Sequence, residues 1–325
     1  MITQKEIAES LGLSTATVSY VLNNKSKEKN ISKETQNKIL KFAYENGYNL
    51  LNELSIRKSI YVYWVNQGLE LTTPSIIRGI HSFLTNNNSF DISLRVFDKG
   101  SLSDESFLRK DDKNSAAVII GANKIDLDYL DSHKTKVPVI LVNRDLKDYS
   151  SVSINHNEAG KIAVNYASKK SKSISIILSD NALYGLNVRG DTMIEYCQKK
   201  NIDISDKIYY SLDSIDAGYE LGLKLSNSLN EPCTFICVND TVALGMMSAF
   251  TELGVEVGNE IKILATSNGM KQIFSRSIPP MTVIDLKMSQ ITNHALSLAA
   301  DSIDKEVYTI EKKIINPELI IRKSC

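Results

Sequence analysis

The chain has 325 residues, 42% hydrophobic and 23% charged, with 38 basic side chains matched by 38 acidic ones. That composition excludes a disordered chain and leaves room for two or three domains. Four cysteines in so long a chain do not make a disulfide framework, no apolar run approaches a membrane span, and Gln4, Lys5 and Glu6 do not open a secretory leader, so a cytoplasmic protein with no membrane partner is expected.

Residues 3–23 carry two short helical patterns separated by one turn. Thr3 with Glu6 has the spacing of a capping box, and Ile7, Ala8 and Leu11 share one face. Gly12 suits the left-handed residue that ends a helix. Ser14 is a good N-cap for a second helix whose Val18, Val21 and Leu22 face inward. Two helices joined by a glycine turn are a helix-turn-helix, whose second helix enters the DNA major groove by its N-terminus. Outward, that helix offers Thr15, Ala16, Ser19 and Tyr20, with Asn23 at its end. Ser32 caps a third helix, whose Ile39, Leu40, Phe42 and Ala43 close a small core. Residues 1–59 hold nine Lys/Arg against six Asp/Glu, so the rest of the chain is net acidic. One basic end suits phosphate contact by that end only.

From Ile60 the pattern changes. Short apolar runs read as buried strands at 60–65, 92–97, 116–120, 137–142, 174–178, 235–238 and 261–265. Helical periodicity alternates with them around 75–86, 157–169, 187–200, 215–229, 240–253 and 287–303. Such alternation predicts parallel sheets covered on both faces, and its length suits two lobes, with junctions expected at Asn143–Ser153 and near Pro279–Asp285. Trp64, the only tryptophan, ends the first strand, where it either fills the core or stacks on a ligand ring.

Chemistry that would mark an enzyme is missing. The four histidines show no zinc spacing, and there is no Gly-x-Ser-x-Gly or dinucleotide fingerprint. Gly185 and Gly190 have P-loop spacing, but Asp191-Thr192 follows where Lys and Ser/Thr are needed. No catalytic residue, metal or cofactor is expected.

The string Ile-Ala-x-x-Leu-Gly-Leu-Ser-x-Ala-Thr-Val-Ser-x-Val-Leu-Asn at residues 7–23 closely resembles the headpiece of lac repressor family (LacI/GalR) transcription regulators. The resemblance continues through Pro138–Arg144, Val188-Arg189-Gly190, Cys237–Gly245 and Ile278–Ile284, and so covers nearly the full length. It implies an all-α helix-turn-helix headpiece at 1–48, a hinge at 49–58 and a two-lobed, periplasmic-binding-protein-like (type I) α/β sensor at 59–325. It also implies a homodimeric repressor on palindromic double-stranded operator DNA, controlled by a small-molecule effector between the lobes, a sugar or sugar derivative. DNA contact falls to Thr3, Ser14, Thr15, Ala16, Thr17, Ser19, Tyr20, Asn23 and Ser32, with Leu54 or Ile56 as the apolar wedge of the hinge. The family's usual hinge pattern, Pro-Asn-x-x-Ala-Arg-x-Leu, is not kept here. The loop at 24–31 is longer and richer in lysine than is usual for the family, and Lys25, Lys27 and Lys29 either meet phosphates or stay solvated. Effector contact falls to Trp64, Asn143, Arg189, Asn239 and Ser267. His156-Asn157 replaces a usual Asp-Asn, and the helix carrying Ile76, Ile77, Ile80 and Phe83 supplies the dimer interface through Ile76, Ile80 and Phe83.

Overall fold

The computed structural model describes residues 2–23, 25–26, 29–46, 48, 58–65, 72–180, 184–227, 232–269, 271–304 and 309–325. Leu54 and residues 49–57 of the expected hinge lie outside the described residues. Contacts divide the chain into two compact units, Met1–Ser59 with Ser89–Asp91, and Ile60–Asn88 with Ile92–Cys325.

In the first unit, α1 (Gln4–Leu11), α2 (Thr15–Leu22) and α3 (Lys33–Glu45) pack around Ile7, Ala8, Val18, Val21, Leu22, Ile39 and Ala43. The turn between α1 and α2 is made by Gly12 at φ +64°, a conformation that costs a glycine little. Leu40, expected in this core, is 40% exposed, while Phe42 packs at its margin.

The second unit contains two sheets, each of six strands among the described residues. The first is built from β1 (Lys58–Val65), β2 (Phe90–Phe97), β3 (Ser115–Ile120), β4 (Val139–Val142), β5 (Ser150–Ile154) and β11 (Lys312–Ile315), in the order β11-β5-β4-β3-β1-β2. The second is built from β6 (Ser173–Ser179), β7 (Ile208–Ser211), β8 (Cys233–Cys237), β9 (Ile261–Ser267), β10 (Thr282–Asp285) and β12 (Glu318–Ile320), in the order β12-β10-β9-β8-β6-β7. Its strands run parallel except β12, which pairs antiparallel to β10 with Ile284 opposite Leu319. Every residue of β3 and of β8 is buried, as strands covered on both faces must be.

Helices α4 (Thr73–Asn86), α5 (Lys124–Ser132) and α11 (Met288–Asp304) belong to the first lobe, where α11 packs on α4 and across β3, β4 and β5. Helices α6 (His156–Ala167), α7 (Tyr184–Lys199), α8 (Ile215–Ser226), α9 (Asp240–Glu252) and α10 (Lys271–Arg276) belong to the second, where α6 packs on α7 and β8–β10. The chain therefore crosses between lobes three times, at 154–156, 285–288 and 315–318.

The first junction differs from the expected Asn143–Ser153. That segment lies within the first lobe, because Ser150–Ile154 is a strand paired with β4 and β11. Its sequence, Ser-Ser-Val-Ser-Ile, has too few apolar residues to stand out, although Ser150 and Ser151 are buried. The second crossing sits at the end of the expected segment, after β10. The third joins strands with no strong apolar signal.

The dimer expectation also changes. Ile76 and Phe83 are 0% and 1% exposed within the single chain, so they have no surface to offer a partner. The cause is α11, which approaches so closely that a Cβ on Gly79 would stand 2.6 Å from Thr292 Cβ. Ile80 is half-buried, and Ile77 remains 47% exposed.

Helices α8 and α9 are in backbone contact. A Cβ on Gly245 would lie 2.0 Å from Ile215 O and 2.5 Å from Tyr219 N, neither of which can swing away. Gly245→Ala should therefore destabilise the protein by ~2–3 kcal/mol, although alanine is the better helix former. Urea unfolding checks this, and an unchanged midpoint would mean that the two helices are not held at backbone contact.

Candidate functional site

The first unit presents α2 by its N-terminus. Thr3 Oγ1 accepts the Glu6 amide at 3.3 Å while Glu6 Oε2 accepts the Thr3 amide at 2.7 Å, closing the capping box. Those bonds to Thr3 hold the Glu6 carboxyl below its ordinary value. Ser14 Oγ accepts from Thr17 N at 3.0 Å, and Ser32 Oγ from Thr35 N at 3.2 Å. Thr3, Ser14 and Ser32 are thus occupied first as caps, each at the positive end of a helix where a phosphate would also be stabilised. Thr15 and Ala16 are exposed in the first turn of α2, while Thr17, Ser19, Tyr20 and Asn23 are half-buried. Asn23 donates to Ser19 Oγ at 3.2 Å, and the Lys29 ammonium stands 5.2 Å from the Tyr20 ring centroid.

The second unit has a cleft between its lobes. The first lobe contributes Trp64, Thr72, Ile120 and Asn143-Arg144; the second contributes Tyr184, Arg189, Asn239, Asp240 and Asn268; His156 and Met288 come from the crossings. Most of these follow the carboxyl ends of parallel strands, where open α/β sheets bind ligands. The lobes touch where Asn268 Nδ2 donates to Thr72 Oγ1 at 3.2 Å and where the Arg144 guanidinium lies 5.2 Å from the Tyr184 ring centroid.

Arg189 is the most demanding group in this wall. Its side chain is buried, at 3% exposure, with Nη2 donating to Val238 O at 3.0 Å and Nη1 lying 3.0 Å from His156 Nδ1. A guanidinium can only donate, so His156 Nδ1 accepts and the ring proton sits on Nε2. Burial lowers the Arg189 pKa to about 10, against the pull of Asp240 and Asp213, and the side chain stays cationic near neutral pH. Burial, with Arg189 and Arg144 nearby, drives His156 down to about 2, so the imidazole is neutral. Burial also raises the Asp240 carboxyl above its ordinary value, while bonds from Ser267 and the Asn268 amide, and the charge of Arg189, oppose the rise. Two donors are left over in this nest: His156 Nε2 and Arg189 Nε are buried without a hydrogen-bond partner.

Four of the five residues expected at the effector site line the cleft: Trp64, Asn143, Arg189 and Asn239. Two of these are already committed to the fold. Asn239 Oδ1 caps α9 through Val242 N at 3.0 Å, while its Nδ2 bonds Asp213. Asn143, at φ +55°, accepts the Ile154 amide at 2.9 Å and so holds the β4–β5 connection. Ser267 is not on the wall. It is 2% exposed and accepts the Gly269 amide at 3.2 Å, and Asn268 faces the cleft instead. Side chains alternate along a strand, so the position after Ser267 is the one turned to the cavity. Sequence reasoning missed Arg144, Tyr184, Asp240, Thr72 and Asn268 as wall residues. Asp240 and Arg144 each directly follow a residue that it named, and the unusual His156-Asn157 pair was the available signal for His156.

A helix-turn-helix unit joined to a two-lobed α/β unit with a cleft is the build of a DNA-binding transcription regulator. Comparison with known proteins fixes which kind. Residues 3–49 match the bacterial regulatory proteins of the lacI family, and residues 163–325 match the periplasmic binding protein-like domain. The HTH-type transcriptional regulator GanR of Bacillus subtilis (strain 168) is 24% identical, over 100% of this chain and 99% of its own. The structure of the lac repressor dimer bound to operator and the anti-inducer ONPF superposes with a TM-score of 0.77 at 20% identity, covering 99% of this chain and 98% of that one. That of the transcriptional regulator CelR–cellobiose complex does so with a TM-score of 0.69 at 16% identity, covering 100% of both chains. The chain belongs to the lacI family of bacterial transcription regulators and carries its periplasmic-binding-protein-like domain. Among the described residues, no helix is long and apolar enough to cross a membrane and no cluster of metal-ligating side chains occurs.

The neutral His156 has a consequence for stability. In the unfolded chain its ring takes a proton as pH falls through its ordinary 6.5, whereas in the fold it does not until about pH 2. The unfolded state therefore binds more protons between those values, and stability is lost as pH drops below about 6.5. Urea midpoints measured from pH 7.5 to pH 5 should fall less steeply in His156→Gln than in the wild type. Parallel curves would show that His156 is not held neutral.

Proposed function

We propose that the chain is a repressor whose hold on a palindromic operator is set by a sugar or sugar derivative bound in the cleft. Residues 1–48 read DNA, 49–58 connect, and 59–325 sense the effector and dimerise, in the cytoplasm where the operator is. A single helix-turn-helix reads few base pairs, which favours two-fold pairing on two half-sites. The exposed Ile77 and the half-buried Ile80 of α4 offer apolar side chains for that pairing. In the cleft, the effector acts only to the extent that it binds two arrangements of the lobes unequally. The cellobiose in the CelR complex supports a sugar as the ligand class.

The observation that carries the ligand chemistry is the buried Arg189 with its Nε unpartnered, next to the unpartnered Nε2 of His156. Two orphaned donors, one of them cationic, call for an acceptor. The effector therefore has an acidic or carbonyl-rich group facing Arg189, as in a phosphorylated or acidic sugar, and a ring near Trp64. Asp240 in the same wall favours a second reading, a neutral sugar whose hydroxyls donate to that carboxylate. Calorimetry with paired neutral and phosphorylated sugars decides between them. Tighter binding of the phosphorylated member is expected, with the preference lost in Arg189→Met, whose operator affinity without effector stays near that of the wild type. Tighter binding of the neutral member would reverse the assignment.

A further inference from the structure

Of the residues between α2 and α3, Lys25 and Lys29 both meet Tyr20 of α2. Lys25 N donates to Tyr20 O at 2.8 Å, continuing the end of α2, and Ser26 is buried at 6% exposure. Ile31 N then returns to Ser26 O at 3.0 Å, and Gln36 Nε2 pins Ile31 O at 2.7 Å. Just before that return, Asn30 adopts φ +52°, a reversal that asparagine tolerates better than most residues. The result is that exposed Lys29 sets its ammonium 5.2 Å from the centroid of the Tyr20 ring. Tyr20 lies on α2, the helix that would face the groove, and its ring is half-buried and so fixed in direction. A flexible lysine is thereby held at one place beside that helix.

We propose that Lys29 is a DNA-phosphate contact of this protein, positioned by the Tyr20 ring. With one face under an ammonium, Tyr20 acts mainly as a platform, and its hydroxyl alone is left for a base edge. The added positive charge neutralises one backbone phosphate per headpiece and carries no sequence information. This rests on the reading that the headpiece binds operator DNA.

The test uses the full-length protein and a duplex recovered by wild-type selection from a random library. Operator affinity is measured against salt for wild type, Lys29→Ala, Lys29→Arg, Tyr20→Phe, Tyr20→Leu and Lys29→Ala/Tyr20→Leu. Lys29→Ala should flatten the slope of log affinity against log salt by about 1.8 per dimer, one phosphate from each headpiece, without altering the selected sequence. Lys29→Arg and Tyr20→Phe should keep the wild-type slope. Tyr20→Leu should flatten it, and the double variant should flatten it no further than Lys29→Ala. A wild-type slope in Lys29→Ala, or slope changes that add in the double variant, would overturn the proposal. A change in the selected sequence on Lys29→Ala would overturn the phosphate assignment in favour of a base contact. Failure of the wild type to enrich any sequence would instead count against operator binding itself.

Discussion

The second unit is arranged around the buried cation of Arg189. Removing a guanidinium from solvent is costly unless hydrogen bonds and opposite charge replace the water; Arg189 has two such bonds and the charges of Asp240 and Asp213 nearby, with only its Nε left without a partner. The Val238 carbonyl ends a strand of the second lobe, His156 opens the helix after the first crossing, and Asp240 opens α9. The neutral imidazole follows directly: a protonated ring would place a second buried cation 3.0 Å from the first. Gly185 completes the packing, since a Cβ there would stand 2.8 Å from His156 Cε1 and 3.3 Å from Arg189 Nη1. One buried charge thus links the end of β8, two helix starts and the cleft wall.

That linkage gives the cleft a means of reaching the rest of the unit. His156 sits at the first crossing, and Asn155 beside it donates to Asn316 of the third at 3.3 Å. Met288, at the second crossing, lines the cleft and opens α11, which packs on α4. Among the described residues, the contacts between the lobes in the cleft include a polar one, Asn268 with Thr72, and a cation over a ring, Arg144 with Tyr184. Contacts of that size are individually weak, so an occupant that bonds both walls can change the relation between the lobes without breaking a core.

The parts of this arrangement that were legible in the sequence are those with a local signature. Caps and the Gly12 turn are written in consecutive residues, so the headpiece could be read directly. Strands buried on both faces appear as apolar runs, and Ala116–Ile120 and Phe235–Val238 lie in β3 and β8 or at their edge. What escaped depends on partners distant in sequence. Ser150–Ile154 is a strand because β4 and β11 flank it, and β11 lies some 160 residues further along the chain. Ile76 and Phe83 looked like surplus apolar residues because nothing local announces that α11 covers them. In the cleft, the family resemblance gave positions but not directions: it located the end of β9, while strand alternation decided between Ser267 and Asn268. Arg144 and Tyr184 come from opposite lobes, and no local pattern pairs them.

In the proposed function, occupancy of the cleft and grip on DNA are one equilibrium. The direct measurement is operator affinity of the wild-type protein, on a duplex recovered by selection, with and without saturating amounts of each neutral and phosphorylated sugar that calorimetry shows to bind. Coupling is reciprocal, so an effector that changes operator affinity fivefold or more must have its own affinity changed by the same factor when operator is bound. A sugar that fills the cleft and leaves operator affinity unchanged would rule out that coupling.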